Sequence, residues 1–287
     1  MPGLTDRVVI VTGAGGGLGR EYARLLAREG ALVVVNDLGA NRDGTGSGTA
    51  VADAVVAEIR AAGGTAVANY DSVATEEGAA SLVRTALDEF GAIHGVLNNA
   101  GILRDTSFAN MNRDDWEAVL RVHLFGAYHV THAAWGHFRE QGHGRIVMAT
   151  STSGLFGNFG QANYGAAKLG LVGLLNTLAI EGGKYDITVN AVAPMAATRM
   201  TTDVAPADLL QRLPPAHVAP VVGYLLSQEC DDTGVVLIVG GGSVQRVQLF
   251  ANKPVLFPDV PSIDEVRENW SRITDMADAQ PGVNPAG

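Results

Sequence analysis

In the stretch "NYGAAKLG", which begins at Asn163, a tyrosine and a lysine stand four residues apart among alanine and glycine. On a helix, positions i and i+4 share a face, so the Tyr164 phenol and the Lys168 ammonium would lie side by side. A free phenol ionises near pH 10 and is a poor base at neutral pH. Favouring phenolate at pH 7 takes about 4 kcal/mol. An ammonium about 4 Å away supplies roughly 1 kcal/mol in water and about 4 at an effective dielectric near 20, so the pair can move protons only if it is sheltered. Each glycine inside a helix costs roughly 0.5–1 kcal/mol against alanine. The small residues therefore read as room for a cofactor and a substrate rather than as helix formers. Thirteen positions before Tyr164, at the end of "RIVMATS", Ser151 offers a hydroxyl to the same place if that run is a strand.

Seven apolar, β-branched runs can carry these groups: "RVVIVTG", "ALVVVND", "TAVANYD", "GVLNNAG", "GRIVMATS", "ITVNAVAP" and "GVVLIVGG". Between them lie stretches of helical period such as "GREYARLLAREG", "AVADAVVAEIRAAGG" and "EGAASLVRTALDEFG", each closing on a glycine suited to a helix C-terminus. Near-continuous apolar strands imply a sheet buried on both faces. Their alternation with helices implies right-handed βαβ units, hence an α/β, Rossmann-like, doubly wound parallel sheet of seven strands in three layers. The strand-end Ser151 would then emerge at the ligand edge of that sheet. Two segments break the rhythm. "LGANRDGTGSGT" is longer than the usual connection and rich in glycine, and the chain after Gly242 gains proline and polar residues. The expected division is residues 1–245 as one domain and 246–287 as an extension with a helix over about 262–276, which could cover a neighbouring site or pack on the surface.

"VVIVTGAGGGLGREYARLL" places a glycine-rich turn between a strand and a helix. Gly13, Gly17 and Gly19 would permit a tight turn and close backbone approach, with the helix N-terminus facing a pyrophosphate. The next strand ends at Asp37, eighteen positions after Gly19. A carboxylate there can accept hydrogen bonds from ribose hydroxyls and repel a 2′-phosphate, which favours NAD over NADP; the alternative is a solvated loop aspartate. Arg42, in the long loop, could meet a 2′-phosphate instead.

Taken together and in order, "TGAGGGLG", "NNAG", Ser151 and "YGAAK" resemble the classical short-chain dehydrogenase/reductase family over about Asp6 to Gly242. The resemblance implies that Tyr164 is the acid/base, that Lys168 lowers its pKa and holds the nicotinamide ribose, and that Ser151 binds the reacting oxygen. It also implies a cofactor set of Leu18 beside the glycines, Asn99, Ala100 and Gly101 of "NNAG", Asp71 and Ser72 near the adenine, and Pro194 and Thr198 after the sixth strand. Two positions depart from the family pattern. His123 of "VHLFG" replaces an asparagine that supports a water-linked proton relay, and it could serve or titrate within that relay or be a packed structural residue. Met195 replaces a glycine after Pro194, which removes backbone freedom near the substrate lid.

The closer resemblance is to the (3R)-hydroxyacyl-CoA dehydrogenase unit of multifunctional β-oxidation enzymes, carried by "NDLGANRDGTGSGT", "AVANYDSV", "NNAGILRD", "RVHLFG" and "GNFGQANYGAAKLGL". It implies reversible oxidation of a (3R)-3-hydroxyacyl-CoA to the 3-ketoacyl-CoA, with a steroid alcohol or sterol side-chain thioester as the alternative substrate. It further implies a homodimer or homotetramer joined through the helices around "EAVLRVHLFGAYHVTHAAWGHF" and "YGAAKLGLVGLLNTLAI". The rival from another class is a nucleotide-binding regulator without turnover.

Bulk properties agree with a small-molecule enzyme. The 287 residues are near half apolar, and 30 acidic against 20 basic residues give a formal charge of -10, which disfavours nucleic acid and anionic membrane as partners. Cys230 is the single cysteine, so no internal disulfide and no cysteine-built metal site is expected. The N-terminus has no signal-peptide pattern, no apolar run reaches membrane-spanning length and no peroxisomal S-K-L signal ends the chain. A free-standing, soluble cytoplasmic dehydrogenase is the resulting expectation.

Overall fold

Every residue of Val8–Thr12 (β1), Gly95–Asn98 (β4) and Gly144–Ala149 (β5) is buried, as a strand covered by helices on both faces requires. The computed structural model describes residues 2–197 and 211–283. The remaining parallel strands are Leu32–Asn36 (β2), Thr65–Asn69 (β3), Ile187–Pro194 (β6) and Val236–Gly240 (β7), so all seven expected strands form. An eighth, Ser243–Val247 (β8), follows Gly241 and Gly242, whose φ angles of +59° and +80° make the two-residue turn. The sheet order is β3-β2-β1-β4-β5-β6-β7-β8, with parallel pairing from β3 through β7. The order reverses between β1 and β4, and ligands of such sheets sit at the carboxyl ends of strands at that switch.

Helices Gly17–Arg28 (α1), Ala50–Ala61 (α2), Glu76–Phe90 (α3), Arg113–Leu120 (α4), Gly126–Gln141 (α5), Thr152–Phe156 (α6), Ala162–Gly182 (α7) and Ala219–Leu226 (α8) make the outer layers. Helix α3 shows the expected termini: Thr75 caps its first turn by accepting from the Gly78 amide, and Gly91 ends it at φ +75°. One core cluster joins Val9, Val11, Val33, Val35, Leu97, Val147 and Val192 of the strands to Tyr22, Leu26, Val55 and Ile59 of α1 and α2. Between α4 and α5, Arg121–Phe125 winds as a π-helical turn, a local widening that recurs at functional sites.

The chain divides into two compact units, Met1–Gln245 and Arg246–Gly287. Within the second, Phe250–Ala251 (β9) pairs antiparallel with Gln280–Pro281 (β10). The expected single helix is two short segments, Ile263–Glu268 and Trp270–Ile273, meeting at Asn269. Ser262 and Glu265 form a reciprocal capping box at the first. No helix among the described residues is long and apolar enough to cross a membrane.

Candidate active site

The glycine-rich turn is shaped by backbone crowding. Gly13 has φ +63°, and a Cβ there would lie 2.8 Å from the Ala100 Cα. At Gly19 a Cβ would lie 2.1 Å from the Gly13 carbonyl oxygen, so any side chain would drive α1 off β1. The turn, the end of β2 and the end of β4 enclose one cleft lined by Gly13, Gly17, Leu18, Gly19, Asp37, Asp71, Ser72, Asn99, Ala100 and Gly101. All ten are sequence-predicted cofactor positions.

Asp37 is more than a free carboxylate at a strand end. Its Oδ2 accepts from the Gly15 amide at 2.8 Å and its Oδ1 from the Gly39 amide at 2.7 Å, so it clasps the glycine turn to the start of the long loop. Arg42 lines the same cleft. The loop itself is folded: Gly48 N donates to Leu38 O, Asn41 N to Thr45 O, and the Thr45 hydroxyl to Asp43 Oδ1.

Sequence reasoning missed the side chains that hold this cleft from behind. The Thr12 hydroxyl accepts from the amides of Asn99 and Ala100, at 2.9 and 3.0 Å, and donates to Leu97 O at 3.2 Å. Asn99 Nδ2 donates to Thr12 O at 2.9 Å, which locks the ends of β1 and β4 together. Asn36 donates to the Asn69 side chain and to Asp71 O, at 2.8 and 2.9 Å, and Asn69 donates to Asp71 Oδ2 at 2.8 Å. Thr12 was the first letter of the quoted turn motif, and polar residues at buried strand ends were the available signal for Asn36 and Asn69.

At the carboxyl end of β5, Ser151 caps α6 by accepting from Ser153 N at 3.1 Å, which leaves its hydroxyl hydrogen to donate toward the Tyr164 oxygen. Tyr164 and Lys168 share one face of α7 as expected, with the ammonium 5.5 Å from the centre of the phenol ring. Lys168 is buried; its ammonium donates to Ala149 O, and burial pulls its pKa down to about 7. The phenol departs from expectation. Burial raises the Tyr164 pKa, a hydrogen bond with Ser151 opposes the rise, and the Asp105 carboxylate adds to it, so the net direction is upward rather than the lowering expected of the lysine. Both heads sit in a medium that penalises charge.

The small residues around the pair serve packing as well as space. A Cβ at Gly154 would lie 2.8 Å from the Leu169 amide, and one at Gly165 would lie 3.2 Å from Ser153 O, so both allow α6 to close on α7. Ala167 is completely buried.

His123 sits on the π turn, 3% exposed, with its ring edge-on to Tyr164 at 5.1 Å between centres. Its Nε2 lies 2.8 Å from Ile102 O and 3.1 Å from Ile102 N, and its ring lies so close to Gly101 that a Cβ there would be 2.2 Å from Cε1. Burial first, then the Lys168 charge, push its pKa well below the usual imidazole range, against a smaller opposing effect of the Ile102 carbonyl. That direction favours the neutral imidazole at physiological pH. A cavity of about 10 Å³ is lined in part by Thr12, Asn98, His123 and Lys168.

Pro194, at the end of β6, does not line the cleft, and Thr198 lies outside the described residues. Met195 extends the strand pairing by donating its amide to Val239 O at 2.8 Å, and Gly240 supplies the needed space, since a Cβ there would lie 2.2 Å from Met195 O. Glycine is thus found across the sheet from the position where the family pattern puts it.

The family model described as short chain dehydrogenase matches residues 7–208. This chain belongs to the short-chain dehydrogenase family. Members are oxidoreductases that act on a hydroxyl group with NAD or NADP, and the glycine cradle fits such a dinucleotide. A short-chain type dehydrogenase/reductase of Mycobacterium tuberculosis is 66% identical over 98% of each chain. The peroxisomal multifunctional enzyme type 2 of Mus musculus is 52% identical over 95% of this short-chain dehydrogenase and 37% of its own length. The chain thus spans little more than a third of that relative. The hydroxyacyl-CoA dehydrogenase ChsB1 of Mycobacterium tuberculosis is 38% identical over 85% of this chain and 80% of its own.

Proposed function

We propose that the chain oxidises a (3R)-3-hydroxyacyl-CoA to the 3-ketoacyl-CoA, reversibly, with NAD. The observation that carries this reading is the convergence of Ser151, Tyr164 and Lys168 at the carboxyl end of β5, in a chain whose glycine-lined cleft carries Asp37. The likeness to ChsB1, a hydroxyacyl-CoA dehydrogenase, supports the thioester substrate.

In this reading the Tyr164 oxygen takes the proton of the substrate 3-hydroxyl, and the Ser151 hydroxyl donates to that same substrate oxygen and orients it. Bound NAD supplies the hydride acceptor for the hydrogen on the carbinol carbon. Protonated Lys168 stabilises the phenolate, and because burial sets its pKa to about 7, that help rises as its neighbourhood gains groups that hold the proton. Neutral His123 fixes the Ile102 backbone and the edge of the Tyr164 ring rather than moving protons. Asp37 accepts from the ribose hydroxyls on lone pairs left over from its two amide bonds and disfavours a 2′-phosphate.

The test is turnover of (3R)- and (3S)-hydroxyacyl-CoA of medium length and of a 17β-hydroxysteroid, each with NAD⁺ or NADP⁺. The expected result is NAD⁺-linked turnover of the (3R)-thioester. Steroid turnover alone would replace the substrate, a preference for NADP⁺ would replace the cofactor, and no turnover with any pair would favour a nucleotide-binding regulator.

The same reading includes a homodimer or homotetramer. Tyr128 on α5 and Leu169 and Ile180 on α7 expose 43%, 48% and 80% of their surfaces, which a second copy would cover. Size exclusion with light scattering decides it, and a monomer at micromolar concentration would remove it.

A further inference from the structure

The wall of the cleft formed by the long loop, residues 38–49, is tied to the catalytic helix through a short strap, residues 102–106. At the loop end, Leu103 N donates to Arg42 O at 2.9 Å and Arg104 Nε donates to Asp43 O at 2.8 Å. Ile102 packs beneath Gly44, where a Cβ would lie 3.0 Å from its Cδ1. At the helix end, Asn163 is completely buried; its Nδ2 donates to Arg104 O and Asp115 O at 3.1 and 3.2 Å, and its Oδ1 accepts from Tyr164 N at 2.7 Å. Arg104 NH1 closes the loop of contacts with an ion pair to Asp115 at 3.2 Å. Backbone and side chain of one residue thus reach the cleft wall, α4 and the first turn of α7, although neither Arg104 nor Asp115 lines the cleft.

From this arrangement we infer that Arg104 is a positioning residue that couples closure of the long loop on the cofactor to the seating of Tyr164; this rests on the reading of the cleft as an NAD site. A loop of this length rich in glycine has many conformations to lose when it orders. A tether that removes them beforehand lowers the ordering cost at binding. Whatever the cofactor does to the loop then reaches Asn163 through the same strap, and by linkage the seating of α7 affects cofactor affinity to the same extent.

The experiment uses Arg104→Met and the nearly isosteric Asp115→Asn, with NAD affinity measured by calorimetry and loop protection by hydrogen exchange, with and without NAD. Both variants are expected to weaken NAD binding by about 5- to 10-fold, the low end of ordinary coupling, and to deprotect residues 38–49 in the ligand-free protein. Arg104→Lys, which can reach Asp43 O or Asp115 but not both, should fall between Met and the parent. Asp115→Asn keeps the test alive should Arg104→Met fail to fold. Unchanged NAD affinity or unchanged loop protection in a folded Asp115→Asn overturns the coupling. A parent that binds no NAD would overturn the cofactor reading instead, and loop protection in the ligand-free variants would still decide the tether.

Discussion

At the glycine-rich end of the site the chain presents backbone: amides of the turn, a helix N-terminus and a carboxylate already clasping two amides. Around Tyr164 it presents titratable side chains in a dry setting, with Lys168 pulled down to about 7, the phenol pushed up and the imidazole held neutral. One end works by shape, since a single Cβ cannot be added at Gly19 without moving α1. The other works by electrostatics, since every charge there is opposed by burial. Damage at the first end should therefore appear as lost cofactor affinity, and damage at the second as lost rate.

The sharpest separation comes from Tyr164→Phe. Removing the proton acceptor should cut kcat by about 10³-fold, within the usual range for a general base, while NAD affinity by calorimetry stays within about twofold. Turnover near the parental rate would take Tyr164 out of the chemistry. The mirror experiment is Gly19→Ala. With its Cβ 2.1 Å from Gly13 O, the new methyl must displace the turn, and NAD affinity should fall by about 100-fold with a lower Tm. Parental affinity would mean that the cradle does not hold the cofactor.

These two ends also differ in how far they could be read from the amino-acid order. Gly13, Gly19 and Asp37 carry their meaning locally, because a turn between strand and helix and a strand-end acid are set by neighbours in sequence. The seven parallel strands were legible for the same reason. What escaped depends on partners far along the chain. Arg104 and Asn163 act through carbonyls of Asp43, Arg104 and Asp115, and a carbonyl has no letter of its own. The depressed Lys168 and raised Tyr164 depend on total burial, which no spacing reports. The β8 strand after Gly241 and Gly242 escaped as well, since its exposed residues show no apolar run.

A smaller effect should come from Asp37→Ser. The serine can retain at most part of the clasp on Gly15 and Gly39, and the carboxylate that opposes a 2′-phosphate is gone. The ratio of kcat/KM for NAD⁺ over NADP⁺ should drop by about tenfold, roughly 1.4 kcal/mol. Were the ratio to hold, Arg42 or another wall of the cleft would set the preference.

The smallest expected effect tests the dry end without any ligand. Lys168 has a folded-state pKa of about 7, below the ordinary lysine value of about 10.4 in the unfolded chain. Below pH 7 both states hold the proton and the burial of the ammonium is a constant cost. Between the two pKa values the unfolded chain holds a proton that the folded chain has released, so raising the pH stabilises the fold. Lys168→Met fills nearly the same volume and cannot titrate. The stability of the parent relative to this variant should therefore rise by about 1.4 kcal/mol from pH 6 to pH 8, read from urea midpoints at each pH. A difference that stays flat would show that the ammonium keeps its proton in the fold. Lys168 would then be fully charged beside Tyr164, and the electrostatic contrast between the two ends of the site would be weaker than its burial implies.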